Sequence, residues 1–185
     1  MRLFIGIPLD PALSAKLSAV RSALEHPSDG LRWSSPASWH ITLQFLGATT
    51  DAQYACLTAH LQAISAPPFP VALDHLGFFD RAGVFFAEVQ VNAELAHLQQ
   101  AVTQATAGCG FVAEDRAYHP HVTLARRKGQ SGNSMRELKR RVEADPTLGA
   151  YLPWFTAQEF LLYQSFPGPG GSRYEVRARY ALHAV

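Results

Sequence analysis

Two short segments of the 185-residue chain repeat each other at a fixed distance, and this repeat limits the folds that the chain can adopt. His-Ile-Thr-Leu occupies positions 40–43 and His-Val-Thr-Leu occupies positions 121–124, an offset of 81 residues. The same offset sets the apolar residues 3–7 against the apolar residues 84–88. One offset that matches several segments in order indicates an internal duplication, so we predict two related halves.

An amphipathic helix is predicted between the two strands of each half. Apolar residues recur every three or four positions over 11–25 and again over 94–106, which is a helical period. Capping, periodicity and turn residues predict the remaining elements: helices over 51–64 and 135–142, strands over 69–79, within 152–166 and over 173–183, and a turn over 167–171. The fold class that follows is α+β, with one domain over residues 1–185 made of two pseudo-symmetric lobes, each a sheet covered by helices.

Composition and charge exclude several classes of protein. Apolar residues make up 48% of the chain and charged residues 17%, which favours a packed core over disorder. The net charge of +1 excludes the broad basic surface of a protein that coats duplex DNA, but it permits a local anion site. No apolar run approaches the ~20 residues of a spanning helix, and residues 1–8 are typical of a first strand. Cys56 and Cys109 match no metal spacing and are expected to be reduced, in a cytoplasmic monomer that does not bind membranes.

The two His-x-Thr motifs each place two polar side chains on one face of a strand. Side chains at positions i and i+2 of a strand point to the same side, so His40 lies beside Thr42 and His121 lies beside Thr123. The alternate residues are expected in the core: Ile41, Leu43, Val122 and Leu124. If a pseudo-twofold axis relates the lobes, the two polar pairs face each other across a central cleft.

Two imidazoles and two hydroxyls suit the cleavage of a phosphate ester. Histidines have an unperturbed pKa near ~6.5, so one can be neutral and the other protonated close to neutral pH. The neutral ring can take a proton from attacking water while the protonated ring gives one to the departing oxygen. The two threonines can donate hydrogen bonds to the nonbridging phosphate oxygens. A strained cyclic phosphodiester fits this set of groups, and the chemistry requires no metal or other cofactor.

A metal site and a structural role are the alternatives for these histidines. His119 and His121 form an i, i+2 pair that can share an ion with His40, although zinc sites usually have three or four protein ligands. A single His-x-Thr on a strand is most often structural, but two copies at one offset favour function. The remaining histidines have no partner at an informative spacing and are expected on surfaces: His26, His60, His75, His97 and His183.

The residues around both motifs resemble the 2H phosphoesterase superfamily, and within it the bacterial and archaeal RNA 2′,3′-cyclic phosphodiesterases, also called 2′-5′ RNA ligases. The resemblance is carried by residues 40–47 and 119–126, and by segments at 2–7, 162–165 and 171–174. It implies lobes of antiparallel sheet and the metal-independent hydrolysis of an RNA 2′,3′-cyclic phosphate to a 2′-phosphomonoester. Relatives can also join or cleave 2′-5′ linkages.

The resemblance also implies roles for individual residues. His40 corresponds to the proton donor for the leaving O3′, His121 to the proton acceptor that activates water, and Thr42 and Thr123 to the phosphate-binding threonines. The residues themselves do not decide which histidine is the acid. Two other functions stay open: a non-catalytic protein that binds RNA ends, and a phosphodiesterase for small cyclic nucleotides.

Four further residues are candidates for contact with RNA. Phe45 and Arg126 lie an odd number of residues from the motif histidines, so strict alternation turns them to the opposite face, unless a strand end or a bulge redirects them. Arg126 is kept as a substrate contact and Phe45 is expected in the core or at the edge of the cleft. Arg116 and Tyr118 precede the second motif, and an aromatic side chain there can stack on a base of a single-stranded end.

Overall fold

The computed structural model describes residues 1–129, 133–168 and 170–183. The strands and helices are β1 (Arg2–Pro8), α1 (Pro11–Leu24), β2 (Leu31–Trp33), β3 (His40–Ala48), α2 (Asp51–Gln62), β4 (Phe69–Val71), β5 (Leu73–Phe79), β6 (Val84–Val89), α3 (Ala93–Ala107), β7 (His121–Arg127), α4 (Asn133–Ala144), β8 (Phe155–Ala157), β9 (Glu159–Phe166) and β10 (Arg173–Ala181), with a single 3₁₀ turn at Pro36–Ser38. The four helices lie where the sequence predicts them. Residue 169 of the predicted turn over 167–171 lies outside the described residues.

Two four-stranded antiparallel sheets form the two lobes. One has the strand order β10-β9-β1-β3 and the other has the order β2-β7-β6-β5, while β4 and β8 form a separate ribbon. In both sheets the motif strand pairs with the strand that begins its half, β3 with β1 and β7 with β6. Helix α1 connects β1 to the segment before β3, and α3 connects β6 to the segment before β7. The α+β class with two lobes is confirmed, while a single domain over 1–185 that arose by duplication stays a prediction.

Local sequence sets where the helices begin and which faces they bury. The side chain of Asp10 accepts a hydrogen bond from the backbone of Leu13 at the start of α1, and Asn92 does the same at the start of α3. Thr50 and Gln53 form a reciprocal capping box on α2. The apolar stripes of α1 and α3 are buried against the sheets: Leu13, Leu17, Val20 and Leu24 on α1, and Leu95, Leu98 and Val102 on α3.

Two predicted strands differ in detail from the observed ones. The segment 69–79 forms two strands, β4 and β5, since β4 carries Pro70 and pairs only with β8 in the separate ribbon. Proline lacks a backbone N–H, so it is confined to strand edges and bulges. In β10 the register slips between Val176 and Ala178, so its side chains do not alternate regularly between the two faces of the sheet, and Val176 is 41% exposed.

The prediction that both cysteines are reduced is wrong. Cys56 on α2 and Cys109 just after α3 form a disulfide, with Cα atoms 5.7 Å apart. The two helices pack against each other and bring together residues 53 positions apart, a pairing that the sequence spacing does not show. His60 also has partners, because its Nδ1 lies 3.5 Å from the sulfur of Cys56 and 3.6 Å from that of Cys109.

Among the helices of the described residues, none has the length and apolar character needed to cross a membrane. The cytoplasmic location stays a prediction.

Candidate active site

Both motif strands carry a β-bulge at the same position of the repeat. On β3, Gly6 pairs with Thr42 and Ile5 pairs with Gln44, so Leu43 has no residue opposite it. On β7, the register with β6 passes from Thr123 to Ala125 and omits Leu124, which is 81 positions after Leu43. An extra residue in one strand of an antiparallel pair shifts the faces of all residues that follow it.

The bulges decide which side chains reach the cleft. Two consecutive residues are buried in each strand, Leu43 with Gln44 and Leu124 with Ala125. Phe45 is therefore returned to the side of Thr42, is 56% exposed and lines the same cavity as Thr42. Arg126 is returned to the side of Thr123 in the same way, with Nη2 3.5 Å from the hydroxyl oxygen of Thr123. Strict alternation would turn both residues away from the cleft, and the bulges redirect them, which is the exception that the sequence left open. The predicted burial of Ile41, Leu43, Val122 and Leu124 is confirmed.

The two motif histidines are held in the same way. Nδ1 of His40 lies 2.8 Å from the carbonyl oxygen of Ser38, and Nδ1 of His121 lies 2.8 Å from the carbonyl oxygen of His119. A carbonyl oxygen only accepts hydrogen bonds, so Nδ1 carries the hydrogen in each ring. Nε2 is therefore the atom of each imidazole that gains or loses a proton.

An aromatic cluster surrounds His40. Its ring centroid lies 4.5 Å from that of Phe4, 5.2 Å from that of Tyr174 and 5.7 Å from that of Tyr163. Burial lowers the pKa of His40 to about 4; the hydrogen bond to Ser38 opposes this shift, and the charge of His121 adds to it. His40 is therefore neutral at neutral pH in the free protein. Its pKa lies further from the unperturbed histidine value than the sequence alone predicts.

His121 has a more polar environment. Burial lowers its pKa below the ordinary histidine value, while the hydrogen bond to His119 and the negative charge of Glu88 raise it. Glu88 lies opposite His121 in the β6–β7 register. Its carboxylate also bridges two other histidines, with Oε1 3.2 Å from Nε2 of His119 and Oε2 2.9 Å from Nε2 of His75. The sequence predicted no partner for His75 and gave no role to Glu88; the single signal available was that residue 88 is the acidic residue of an otherwise apolar segment.

A cavity of about 650 Å³ opens beside the histidines. Thr42 and His121 line it together with three aromatic side chains, Phe45, Phe79 and Tyr118. The hydroxyl of Tyr118 donates a hydrogen bond of 3.0 Å to the backbone oxygen of Thr42, and burial raises the pKa of Tyr118, so the hydroxyl stays protonated. The cavity thus joins the face of β3 that carries Thr42 to an aromatic surface that suits a planar ring.

The other predicted candidates divide between two pockets. Arg116, predicted with Tyr118, lines the large cavity and pairs with Glu114 at 2.6 Å. Arg126 lines a second pocket of about 160 Å³, together with Arg32 and Tyr174. Thr42 and Thr123 are both half-buried on the same faces as their motif histidines.

The structure does not group the histidines of the metal interpretation as ligands. Within residues 1–129, 133–168 and 170–183, one set of three potential ligands has its donor atoms within 4.8 Å of one another, and it consists of Cys56, His60 and Cys109. The two sulfurs of that set are bonded to each other.

Comparison with known proteins places the chain in a family. The model of the 2′-5′ RNA ligase superfamily matches residues 9–153. The chain belongs to this superfamily. The resemblance seen in the motifs is thereby confirmed at the level of the family.

Relatives within the 2′-5′ RNA ligase superfamily match most of the chain. An RNA 2′,3′-cyclic phosphodiesterase of Bacillus subtilis is 32% identical over 136 residues, which cover 70% of this chain and 73% of the relative. One of Archaeoglobus fulgidus is 26% identical over 178 residues, covering 95% and 97%.

Solved structures of two similar proteins show the same fold. Escherichia coli LigT in complex with 3′-AMP has a TM-score of 0.76 at 25% identity, covering 98% of this chain and 97% of LigT. TT0787 of Thermus thermophilus has a TM-score of 0.77 at 23% identity and covers 98% of both chains.

Proposed function

We propose that this protein hydrolyses RNA 2′,3′-cyclic phosphate ends to 2′-phosphomonoesters, without metal or other cofactor. The observation that carries the proposal is the matched anchoring of His40 and His121, which leaves one Nε2 on each of two pseudo-symmetric strands free to transfer a proton. Relatives that are RNA 2′,3′-cyclic phosphodiesterases support the choice of substrate.

The reaction is a displacement at phosphorus between the two imidazoles. Nε2 of His121 takes a proton from water as the water oxygen forms a bond to phosphorus. Nε2 of His40 gives a proton to O3′ as the bond between phosphorus and O3′ breaks. The 2′-phosphate and a free 3′-hydroxyl result, and the proton taken at His121 balances the one given by His40. Both protons are handled by imidazoles, so the step needs no metal-bound water.

The environments of the two rings support these roles. A histidine with a lower pKa is the stronger acid, and burial depresses the pKa of His40 to about 4. Burial lowers the pKa of His121 as well, but the hydrogen bond to His119 and the negative charge of Glu88 oppose that shift and support its role as the base. A bound phosphodiester, which is negatively charged, favours the protonated form of His40 and prepares it to act as the donor.

Thr42, Thr123 and Arg126 hold the charged phosphate in this proposal. Each threonine hydroxyl lies on the face of its motif histidine and can donate to a nonbridging oxygen. Arg126 lies beside Thr123 and adds a positive charge near the same group. RNA ends with a cyclic phosphate are the proposed partners, and the chain is proposed to act as a monomer in the cytoplasm.

The test is an assay of the metal-depleted protein. A short RNA that ends in a 2′,3′-cyclic phosphate is incubated with protein treated with excess EDTA, and the position of the product phosphate is determined. We expect a 2′-phosphate, and we expect His40→Ala and His121→Ala each to remove most of the turnover. His97→Ala is the matched control, because His97 is exposed on α3.

Each contrary result identifies a different error. RNA binding without turnover by the unmodified protein would show an RNA-end binding protein instead of an enzyme. A 3′-phosphate product would show that O2′ is the leaving oxygen instead of O3′. Full activity in either histidine variant would refute the acid–base assignment.

A further inference from the structure

The catalytic histidines lie between two pockets at opposite ends of the motif strands. On β3 and the turn before it, Ser38 lines the small pocket and Phe45 lines the large cavity. On β7 the order is reversed, with His121 at the large cavity and Arg126 at the small pocket. A phosphate held by the two histidines therefore has the aromatic cavity on one side and the small pocket on the other.

The small pocket presents two adjacent arginines. Arg32 on β2 pairs in register with Arg126 on β7, so the two side chains lie beside each other on neighbouring strands. Both line the pocket, together with Tyr174 and a group of serines. Burial lowers the pKa of Arg126, and the charge of Arg32 adds to this shift. Two neighbouring positive charges repel each other, and a bound anion would relieve that repulsion.

The ion pairs of the structure leave these two arginines unpaired. In the part of the chain that the structure describes, every pair of a basic and an acidic side chain within 4.0 Å involves other residues. By contrast, Arg116 at the aromatic cavity pairs with Glu114, and Arg173 near the small pocket pairs with Glu175. Two adjacent guanidinium groups that line one pocket and have no carboxylate of the described residues within 4.0 Å suit the small pocket to an anion.

The sizes of the pockets match different parts of a nucleotide. A volume of about 160 Å³ admits a phosphate group but lies below the range of ~300–1,000 Å³ that is usual for small-molecule ligands. The cavity of about 650 Å³ lies within that range and is lined by Phe45, Phe79 and Tyr118, which suit a base. The small pocket is therefore matched to phosphate and the cavity to a nucleoside.

The covalent structure of RNA connects these two assignments. In a terminal nucleotide with a 2′,3′-cyclic phosphate, the base is attached at C1′, next to C2′. The 5′ side of the strand continues from C4′, next to C3′. Base and 5′ phosphate therefore leave the sugar from opposite ends, at C1′ and at C4′, so each can enter a different one of the two pockets.

We propose that Arg32 and Arg126 together bind the phosphate on the 5′ side of the terminal nucleotide, with Arg126 also facing the cyclic phosphate beside Thr123, so that the enzyme selects strand ends over cyclic nucleosides. This inference rests on the proposed function and names its substrate class more closely. A guanidinium can bind a phosphate through two parallel hydrogen bonds, which lysine cannot do.

The test compares four substrates that differ on the 5′ side of the terminal nucleotide. They are adenosine 2′,3′-cyclic phosphate, the same nucleotide with a 5′-phosphate, the dinucleotide ApA with a 2′,3′-cyclic end, and that dinucleotide with an uncharged methylphosphonate linkage. For the unmodified protein we expect kcat/KM to be roughly 10-fold or more higher for the charged dinucleotide than for either the cyclic nucleoside or the uncharged dinucleotide.

The variant Arg32→Gln tests whether Arg32 causes the preference for the charged dinucleotide. The ratio of kcat/KM between charged and uncharged dinucleotide is expected to fall towards one in this variant, because the group that senses the charge is gone. Arg140→Gln removes the same charge from an exposed position on α4 and is expected to keep the full ratio. A gain with the 5′-phosphorylated mononucleotide would show that the phosphate alone is sensed. A gain with the dinucleotide alone would show that the pocket requires a phosphodiester.

Two results would overturn the inference while leaving the proposed function intact. The first is an equal kcat/KM for charged and uncharged dinucleotides in the unmodified protein, since the pocket would then sense no charge. The second is an unchanged charge ratio in Arg32→Gln. Failure of the proposed function is distinguishable from both, because it would abolish turnover of all four substrates.

Discussion

The pH dependence of kcat/KM tests the electrostatics of the histidine pair directly. Proton transfer by an acid and a base requires one proton on the pair, so activity of the free enzyme lies between the two pKa values. Burial lowers the pKa of His40 to about 4, and it also lowers the pKa of His121 from the ordinary value of 6.5. Both limits thus lie below the pKa of an exposed histidine.

The size of the effect follows from the position of the upper limit. Above the upper pKa, the singly protonated pair falls tenfold for each pH unit. Since that pKa lies below 6.5, kcat/KM is expected to fall about 100-fold between about pH 6.5 and pH 8.5. The optimum of kcat/KM is expected on the acid side of neutrality. The two limiting pKa values describe the histidine pair as a whole, because the charge of His121 also acts on His40.

The assay measures kcat and KM at constant ionic strength with a short RNA that ends in a 2′,3′-cyclic phosphate. The phosphodiester remains a monoanion throughout the range, so the limbs report the enzyme. Its bound negative charge raises the pKa of both rings, and the decline of kcat is therefore expected at higher pH than that of kcat/KM. A kcat/KM that stays level or rises between about pH 6.5 and pH 8.5 would refute the argument that burial sets these pKa values.

Three changes to the chain have expected outcomes. A methyl group at Gly6 would lie 2.8 Å from the backbone oxygen of Ile41, next to His40, so Gly6→Ala is expected to displace β3 and lower kcat/KM by about 10- to 100-fold in a folded protein; unchanged kinetics would contradict this. Thr123→Ala is expected to lower kcat/KM by a factor that corresponds to about 1–3 kcal/mol, because a hydrogen bond to a charged oxygen is lost. An unchanged kcat/KM would show that Thr123 does not contact the phosphate. Reduction of the Cys56 disulfide with dithiothreitol is expected to lower the free energy of unfolding in urea by about 2–4 kcal/mol, because it closes a long loop; equal urea midpoints before and after reduction would show that the disulfide does not stabilise the fold.

The sequence predicted what depends on local patterns. Helical spacing located α1 and α3, capping and other local signals located α2 and α4, and the repeated motifs located the two strands that carry the histidines. The buried residues of those motifs followed from alternation alone. The family that these motifs resembled is confirmed, whereas the roles of the individual site residues stay predictions.

Features that depend on tertiary structure were missed for identifiable reasons. The bulges begin one residue beyond each His-x-Thr, where Leu43 and Gln44 are both buried, and a polar Gln44 gives no sign of burial in the sequence. Leu124 and Ala125 are two consecutive apolar residues, so the second bulge had a weak signal. The Cys56 disulfide depends on how α2 packs against α3, which no spacing reveals.

The paired bulges bear on regiochemistry. The two motif histidines occupy equivalent positions of the repeat but differ in environment, and a cyclic phosphate could enter the centre between them in two orientations that exchange O2′ and O3′. The bulges bring Phe45 to one side of that centre and Arg126 to the other, at equivalent positions of the repeat. An aromatic ring and a guanidinium do not accept the same end of a nucleotide. In the proposed reaction these two side chains would therefore decide which ester bond breaks, and the isomer of the product would report on Phe45 and Arg126 as well as on the histidines.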